Sequence, residues 1–101
     1  MSFEALSWAW EVEGIDAMQR LCLLAAAEGA HYDGTLKRPA VEVLARKLHV
    51  RPSHASGLFA NLFEVGLCEP SPLGEEYCRL RMDSDRGEGA TQADERQGGL
   101  R

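Results

Sequence analysis

Residues 44–69, LARKLHVRPSHASGLFANLFEVGLCE, contain two apolar stripes at helical spacing with a short polar turn between them. The first stripe begins just before this stretch and follows the i, i+3, i+4, i+7 period through Val41, Leu44, Ala45 and Leu48. The second consists of Ala55, Leu58, Phe59, Leu62 and Phe63. Ser53 is a suitable N-cap for the second helix, and Gly66 ends it. The stretch therefore predicts a helix-turn-helix unit.

A small β-hairpin is predicted directly after this unit. Residues 67–69 and 77–82 alternate like strands on either side of PSPLGE, a segment rich in turn-forming residues. One face of the second strand carries Cys78, Leu80 and Met82, and the other carries Tyr77, Arg79 and Arg81. Since the apolar face packs inward, the hairpin is expected to present basic side chains on its outer side.

Two further helices are predicted before residue 30. Phe3, Leu6 and Trp10 share one stripe of a first helix that Ser2 caps, and Trp8 falls outside that stripe. Residues 16–28 form a second helix, apolar almost all round, which is expected to be the central helix of the domain. The predicted core consists of Leu21, Leu24, Leu44, Leu48, Val50, Leu58, Leu62 and Leu67.

Length and composition limit the chain to one domain. It has 101 residues, of which 45% are apolar and 27% charged, and its longest apolar run, residues 21–27, is far shorter than the ~20 residues that span a bilayer. No export signal is visible, so a cytoplasmic protein without a membrane role is expected. Residues 83–99 contain no apolar residue larger than alanine. We therefore predict a folded domain over residues 1–82 and a disordered tail over residues 83–101.

The sequence contains no catalytic or metal-binding motif. Its three cysteines, Cys22, Cys68 and Cys78, form no C-x-x-C pair, so packed thiols are expected rather than a metal or redox site. No phosphate-binding glycine loop and no nucleophile–base spacing is present. We therefore expect neither an enzyme nor a cofactor.

The charge is unevenly distributed along the chain. The formal net charge is −5; residues 1–34 contain six acids and one base, whereas residues 35–63 contain one acid and five bases. Such a basic stretch is either a solvated helix face or a phosphate-binding surface. The net charge alone argues against a protein whose whole surface binds polyanions.

The stretch over residues 44–69 resembles the winged helix-turn-helix proteins of phages, plasmids and bacterial regulators. Their pattern is roughly L-A-x-x-L-G-V-S-x-x-T-V-S-R-x-L-x-x-L-E-x-x-G-L-I, and it aligns here without a gap. The matching residues are Leu44, Ala45, Leu48, Val50, Ser56, Leu62, Gly66 and Leu67. Four departures affect function more than fold. His49 replaces the turn glycine and Arg51 the serine that follows it, while His54 replaces the threonine that contacts DNA and Gly57 the arginine of the recognition helix.

The resemblance implies a mainly α-helical winged helix-turn-helix protein that binds double-stranded DNA. Its second motif helix would enter the major groove and present Arg51, Ser53, His54, Ser56 and Asn61. Phosphates would be held by Lys37, Arg38, Arg46, Lys47, Arg79 and Arg81. The implied role is that of a regulator or a replication accessory. It would act as a homodimer, with the tryptophan-containing helix as a candidate dimer surface, or as several copies on repeated sites.

A second hypothesis uses the same scaffold for protein binding. A small phage-type inhibitor or adaptor, similar to anti-CRISPR proteins, would bind a partner with a basic surface through its acidic segment, residues 1–34. The net negative charge and the loss of the recognition-helix arginine at Gly57 favour this alternative.

Overall fold

The computed structural model describes residues 2–82, which form four helices and a three-stranded antiparallel sheet. In chain order the elements are α1 Phe3–Glu11, α2 Ala17–Glu28, β1 Thr35–Lys37, α3 Val41–Leu48, α4 Pro52–Glu64, β2 Cys68–Pro70 and β3 Tyr77–Leu80. The prediction of a mainly helical protein with a hairpin after the last helix is confirmed. The predicted tail, residues 83–101, lies outside the described residues.

The first two helices begin where the capping residues predict. The hydroxyl of Ser2 accepts a hydrogen bond from the backbone N–H of Ala5 at 3.3 Å. Asp16 and Gln19 form a reciprocal capping box, in which each side chain accepts from the backbone N–H of the other residue. Both caps satisfy N–H groups that a helix start leaves without partners.

The buried face of α1 is not the predicted one. Ala5, Trp8 and Ala9 lie in the core, whereas Phe3 and Trp10 are 79% and 64% exposed. The two alanines explain this outcome, because small side chains let α1 approach α2 closely while the indole of Trp8 fills the remaining space. Phe3 and Trp10 of the stripe predicted to face inward therefore face solvent, whereas Leu6 is partly buried against the core.

Helix α2 is central, as predicted, because it packs against α1, α3 and α4. Its buried residues are Cys22, Leu23, Ala26 and Ala27. The assignment of Leu21 to the core is wrong, since this side chain is 47% exposed and Leu23 is fully buried. In a helix that is apolar almost all round, periodicity alone does not distinguish these neighbouring leucines.

Helices α3 and α4 pack against each other and are separated by only three residues. Leu44, Ala45 and Leu48 are buried on α3, as predicted. His49 adopts a left-handed backbone conformation with φ of +59°, the geometry that ends many helices and that usually favours glycine. The chain therefore changes direction at His49, the residue that replaces the turn glycine of the winged-helix pattern.

Helix α4 begins two residues earlier than the predicted cap at Ser53 would place it. Arg51 occupies the N-cap position and Pro52 the first helical position, so the assignment of Ser53 as N-cap is wrong. Proline suits the first turn because its ring fixes a helical φ and the missing N–H would lack a partner there. Gly66, with φ of +84°, follows the C-cap and ends the helix as predicted.

The sheet contains one strand that the sequence does not predict. β2 and β3 form the expected antiparallel hairpin, with Cys68 opposite Leu80, but β1 pairs with the other edge of β3. β3 is therefore the central strand. It ends at Leu80, so the predicted strand through residue 82 is too long. Its inward face carries Cys78 and Leu80 against the core.

All three cysteines are buried and unpaired by disulfides, as expected. Burial raises the pKa of Cys22 to about 11. A hydrogen bond to Cys78, together with burial, raises the pKa of Cys68. Cys22 and Cys68 are therefore packed as neutral thiols at neutral pH, since a thiol with a raised pKa keeps its proton there.

Candidate nucleic-acid interface

The N-terminus of α4 is exposed and has no side-chain cap. Arg51, Ser53, His54 and Ser56 are all exposed, and no side chain accepts a hydrogen bond at the N-cap. The N–H groups of the first turn therefore face their surroundings without an acceptor from a capping side chain. A helix N-terminus also carries partial positive charge, so this end of α4 favours an anion.

Three basic residues lie in the last turn of α3 and at the N-cap of α4, and we call them the turn cluster: Arg46, Lys47 and Arg51. The first two lie in the last turn of α3. Lys47 donates to Glu28 of α2 at 2.7 Å, and this hydrogen bond and charge lower the pKa of the Glu28 carboxyl. Within residues 2–82, Arg46 and Arg51 make no ion pair. These two are the turn-cluster charges that no carboxylate of the described chain neutralises.

A second group, which we call the sheet cluster, consists of Lys37, Arg38, Arg79 and Arg81. The Arg38 guanidinium lies 4.8 Å from the ring centroid of Phe63, which is in the last turn of α4. This is a cation–π interaction, in which the ring face attracts the positive charge of Arg38. Phe63 is 12 residues beyond Arg51, or about 18 Å along a helix axis. The predicted basic site is therefore divided between the two ends of α4.

A single carboxylate neutralises much of the hairpin's positive charge. Glu69 on β2 pairs with Arg79 at 2.9 Å and with Arg81 at 3.6 Å. Counting charges along the sequence missed this pairing, although the hairpin register would have indicated it, because Glu69 and Arg79 are direct cross-strand neighbours. The predicted basic outer face of the hairpin is therefore a mixed surface.

Asn61 differs from the other predicted base-reading residues. Its side-chain oxygen accepts a hydrogen bond from Gln19 of α2, and its amide group donates to Glu64 at 3.4 Å. The side chain is partly buried and connects α4 to α2. Ser53, His54 and Ser56 are exposed on α4, whereas Asn61 makes internal contacts that the sequence pattern did not reveal.

Gly57 lies in the middle of α4 on its exposed side, where a side chain has open space. A Cβ atom built at this position meets no heavy atom within 4 Å. Since glycine in a helix interior costs roughly 1 kcal/mol relative to alanine, Gly57→Ala is expected to raise the free energy of unfolding by about that amount. Urea titration followed by circular dichroism measures the change. A loss of stability in this variant would contradict the open environment of Gly57.

The described residues provide no other kind of site. Within residues 2–82, no three His, Cys, Asp or Glu side chains form a group that could hold a metal ion. None of the helices in this part of the chain has the length and hydrophobicity needed to cross a bilayer. Comparison of the chain with known protein families, curated proteins and solved structures gave no significant match.

Proposed function

We propose that this protein binds double-stranded DNA as a winged helix-turn-helix protein, with the N-terminal part of α4 in the major groove. The observation that carries the proposal is the uncapped N-terminus of α4 beside Arg46 and Arg51, two arginines without a carboxylate partner in residues 2–82. Guanidinium groups and free helix N–H groups both bind phosphate. The hairpin that follows α4 directly would be the wing.

The spacing of the two basic clusters supports this orientation. Arg51 and the contact of Arg38 with Phe63 lie at opposite ends of α4, about 18 Å apart along its axis, and the major groove is ~12 Å wide. A helix seated in the groove would therefore bring the turn cluster to one phosphate chain and Lys37 and Arg38 to the other. The lysine and arginine side chains of the two clusters would contribute to orientation and affinity rather than to sequence recognition.

The recognition we propose is mainly that of the DNA backbone. The exposed residues of α4 nearest its N-terminus, Ser53, His54 and Ser56, form single hydrogen bonds, and Gly57 supplies none. Apart from Arg51 at the N-cap, which we assign to phosphate, this face of α4 carries no arginine for the bidentate contact that reads guanine. We therefore expect modest sequence preference and strong dependence of affinity on salt.

The test is a fluorescence-anisotropy titration of a short duplex at several salt concentrations. Replacing Arg46 and Arg51 by alanine together should weaken binding and reduce the slope of log affinity against log salt by about 0.9 for each phosphate that the variant no longer neutralises. The matched control replaces the same two residues by lysine, which keeps the charge and should retain most of the slope.

A second comparison uses the hairpin. Since Glu69 already pairs with Arg79 and Arg81, replacing these two by alanine should change the salt slope by less than the Arg46 and Arg51 substitutions do. The proposal fails if the unmodified protein binds no duplex at low salt, or if the alanine and lysine variants at residues 46 and 51 bind equally well.

A further inference from the structure

Helix α1 presents an aromatic surface that no other part of residues 2–82 covers. We call it the α1 outer surface, and it consists of Phe3, Glu4, Ser7, Trp10 and Glu11. Its two aromatic rings are seven positions apart and both are largely exposed, so they lie on the same side of the helix, about 10 Å apart along its axis. Exposed aromatic side chains grouped in this way mark interaction surfaces, where tryptophan is often a main contributor to affinity.

A cleft of about 300 Å³ adjoins this surface. It is lined by Phe3, Glu4, Ser7, Trp8, Glu11 and Met82. The volume is at the lower end of the range for ligand-binding pockets and accommodates a large apolar side chain. Trp8 contributes to the wall, and its buried Nε1–H has no acceptor within residues 2–82, which is uncommon for a buried donor.

The charge around the cleft determines the kind of occupant. Glu4 and Glu11 lie on the flank of α1 that lines it. Carboxylates repel nucleic-acid phosphates and anionic lipids. A symmetric contact with a second copy of this chain would bring the acidic residues of the two copies together, which is also unfavourable.

We propose that the α1 outer surface docks a basic amphipathic helix of another protein, which inserts one apolar side chain into the cleft and places lysine or arginine beside Glu4 and Glu11. Apolar anchors along one face of a helix, with charged flanks, are a common way to occupy such a groove. This contact goes beyond DNA binding, because the α1 outer surface shares no residue with the turn or sheet clusters. The two interactions can therefore be tested separately.

The experiment titrates the full chain with a synthetic peptide of lysine and leucine, about 18 residues long so that it forms a helix, with its leucines on one face. A peptide of the same composition with scattered leucines is the reference. Since Trp10 is exposed and Trp8 is already buried, binding of the ordered peptide should shift tryptophan emission to the blue. Its affinity should exceed that of the reference by about tenfold or more.

Two variants locate the contact. Replacing Glu4 and Glu11 by lysine together should weaken binding of the ordered peptide by about tenfold, whereas the matched control, Glu42→Lys with Glu75→Lys, should leave it within about twofold. Trp10→Ala removes an exposed ring and should also weaken binding without a change in the melting temperature.

The proposal is overturned if the two peptides bind equally well, since the contact would then be electrostatic only. It is also overturned if both pairs of charge reversals weaken binding to the same extent. Sedimentation equilibrium provides the remaining outcome: self-association that Trp10→Ala abolishes would assign the surface to a second copy of this chain and would contradict a basic partner.

Discussion

Leu23→Ala is expected to lower the free energy of unfolding by about 2–5 kcal/mol, because the substitution removes a fully buried side chain and leaves a cavity. Leu23 lies on α2, which packs against the other three helices, so no single neighbour can move to fill the space. Denaturant titration measures the loss, and an unchanged m-value would show that the variant unfolds from the same compact state.

Leu21→Ala is the matched control on the same helix. The side chain is largely exposed, so its removal is expected to cost less than about 1 kcal/mol. The two variants make the same chemical change only two positions apart. Equal losses would contradict the rotational orientation of α2 in the core, and a larger loss for Leu21 would restore the orientation predicted from the sequence.

Gly34→Ala is expected to lower the free energy of unfolding by roughly 2–4 kcal/mol, since the substitution combines two unfavourable effects. Gly34 has φ of +92°, a conformation that disfavours a side chain, and its added Cβ would lie 2.5 Å from the backbone oxygen of Leu80. That oxygen belongs to β3 and cannot rotate away. The carbonyl of Gly34 also accepts a hydrogen bond from the N–H of Leu80 at 2.8 Å, so the substitution disturbs the junction between β1 and β3.

Gly14→Ala separates the two effects. Gly14 has φ of +86°, close to that of Gly34, but a Cβ there meets nothing within 4 Å. Only the backbone strain remains, which costs about 1 kcal/mol. Thermal unfolding of both variants gives the comparison. If the two alanine variants lose the same stability, the close approach of Gly34 to β3 contributes nothing.

Local signals predicted the helices α2 to α4 and the hairpin well. The capping box at Asp16 and the glycine after α4 are short-range features whose hydrogen bonds form within one turn, so they are readable without knowledge of the rest of the fold. The N-cap of α4 was placed wrongly because serine is a common cap. Pro52 was the better signal, since proline prefers the first helical position.

Features that depend on distant residues could not be predicted in this way. The face of α1 is decided by how closely Ala5 and Ala9 can approach α2, and a nine-residue helix with apolar residues on several sides contains no periodicity that reveals it. Strand β1 has only three residues, and its hydrogen-bond partners on β3 are about 40 residues later in the sequence. The sequence around Thr35 contains no sign of that pairing.

The candidate site was also predicted only in part, because some of its contacts join residues that are distant in the sequence. Exposure of Arg46 and Lys47 follows from the amphipathic pattern of α3, which the sequence shows directly. The neutralisation of Lys47 by Glu28 involves two different helices, and the hydrogen bond between Asn61 and Gln19 does as well. Such pairs become visible only when the packing of α2 against its neighbours is known.

The position of β3 in the middle of the sheet has a consequence for how the protein is made. Both edge strands, β1 and β2, precede β3 in the chain, and the β1 segment is roughly 40 residues upstream of its partner. On the ribosome all four helices emerge before either edge strand has a partner. The helical layer must therefore remain soluble with its sheet-facing surface uncovered until residues 77–80 leave the exit tunnel. A chain that stopped before β3 would leave β1 and β2 as unpaired edges, the kind of backbone that promotes aggregation.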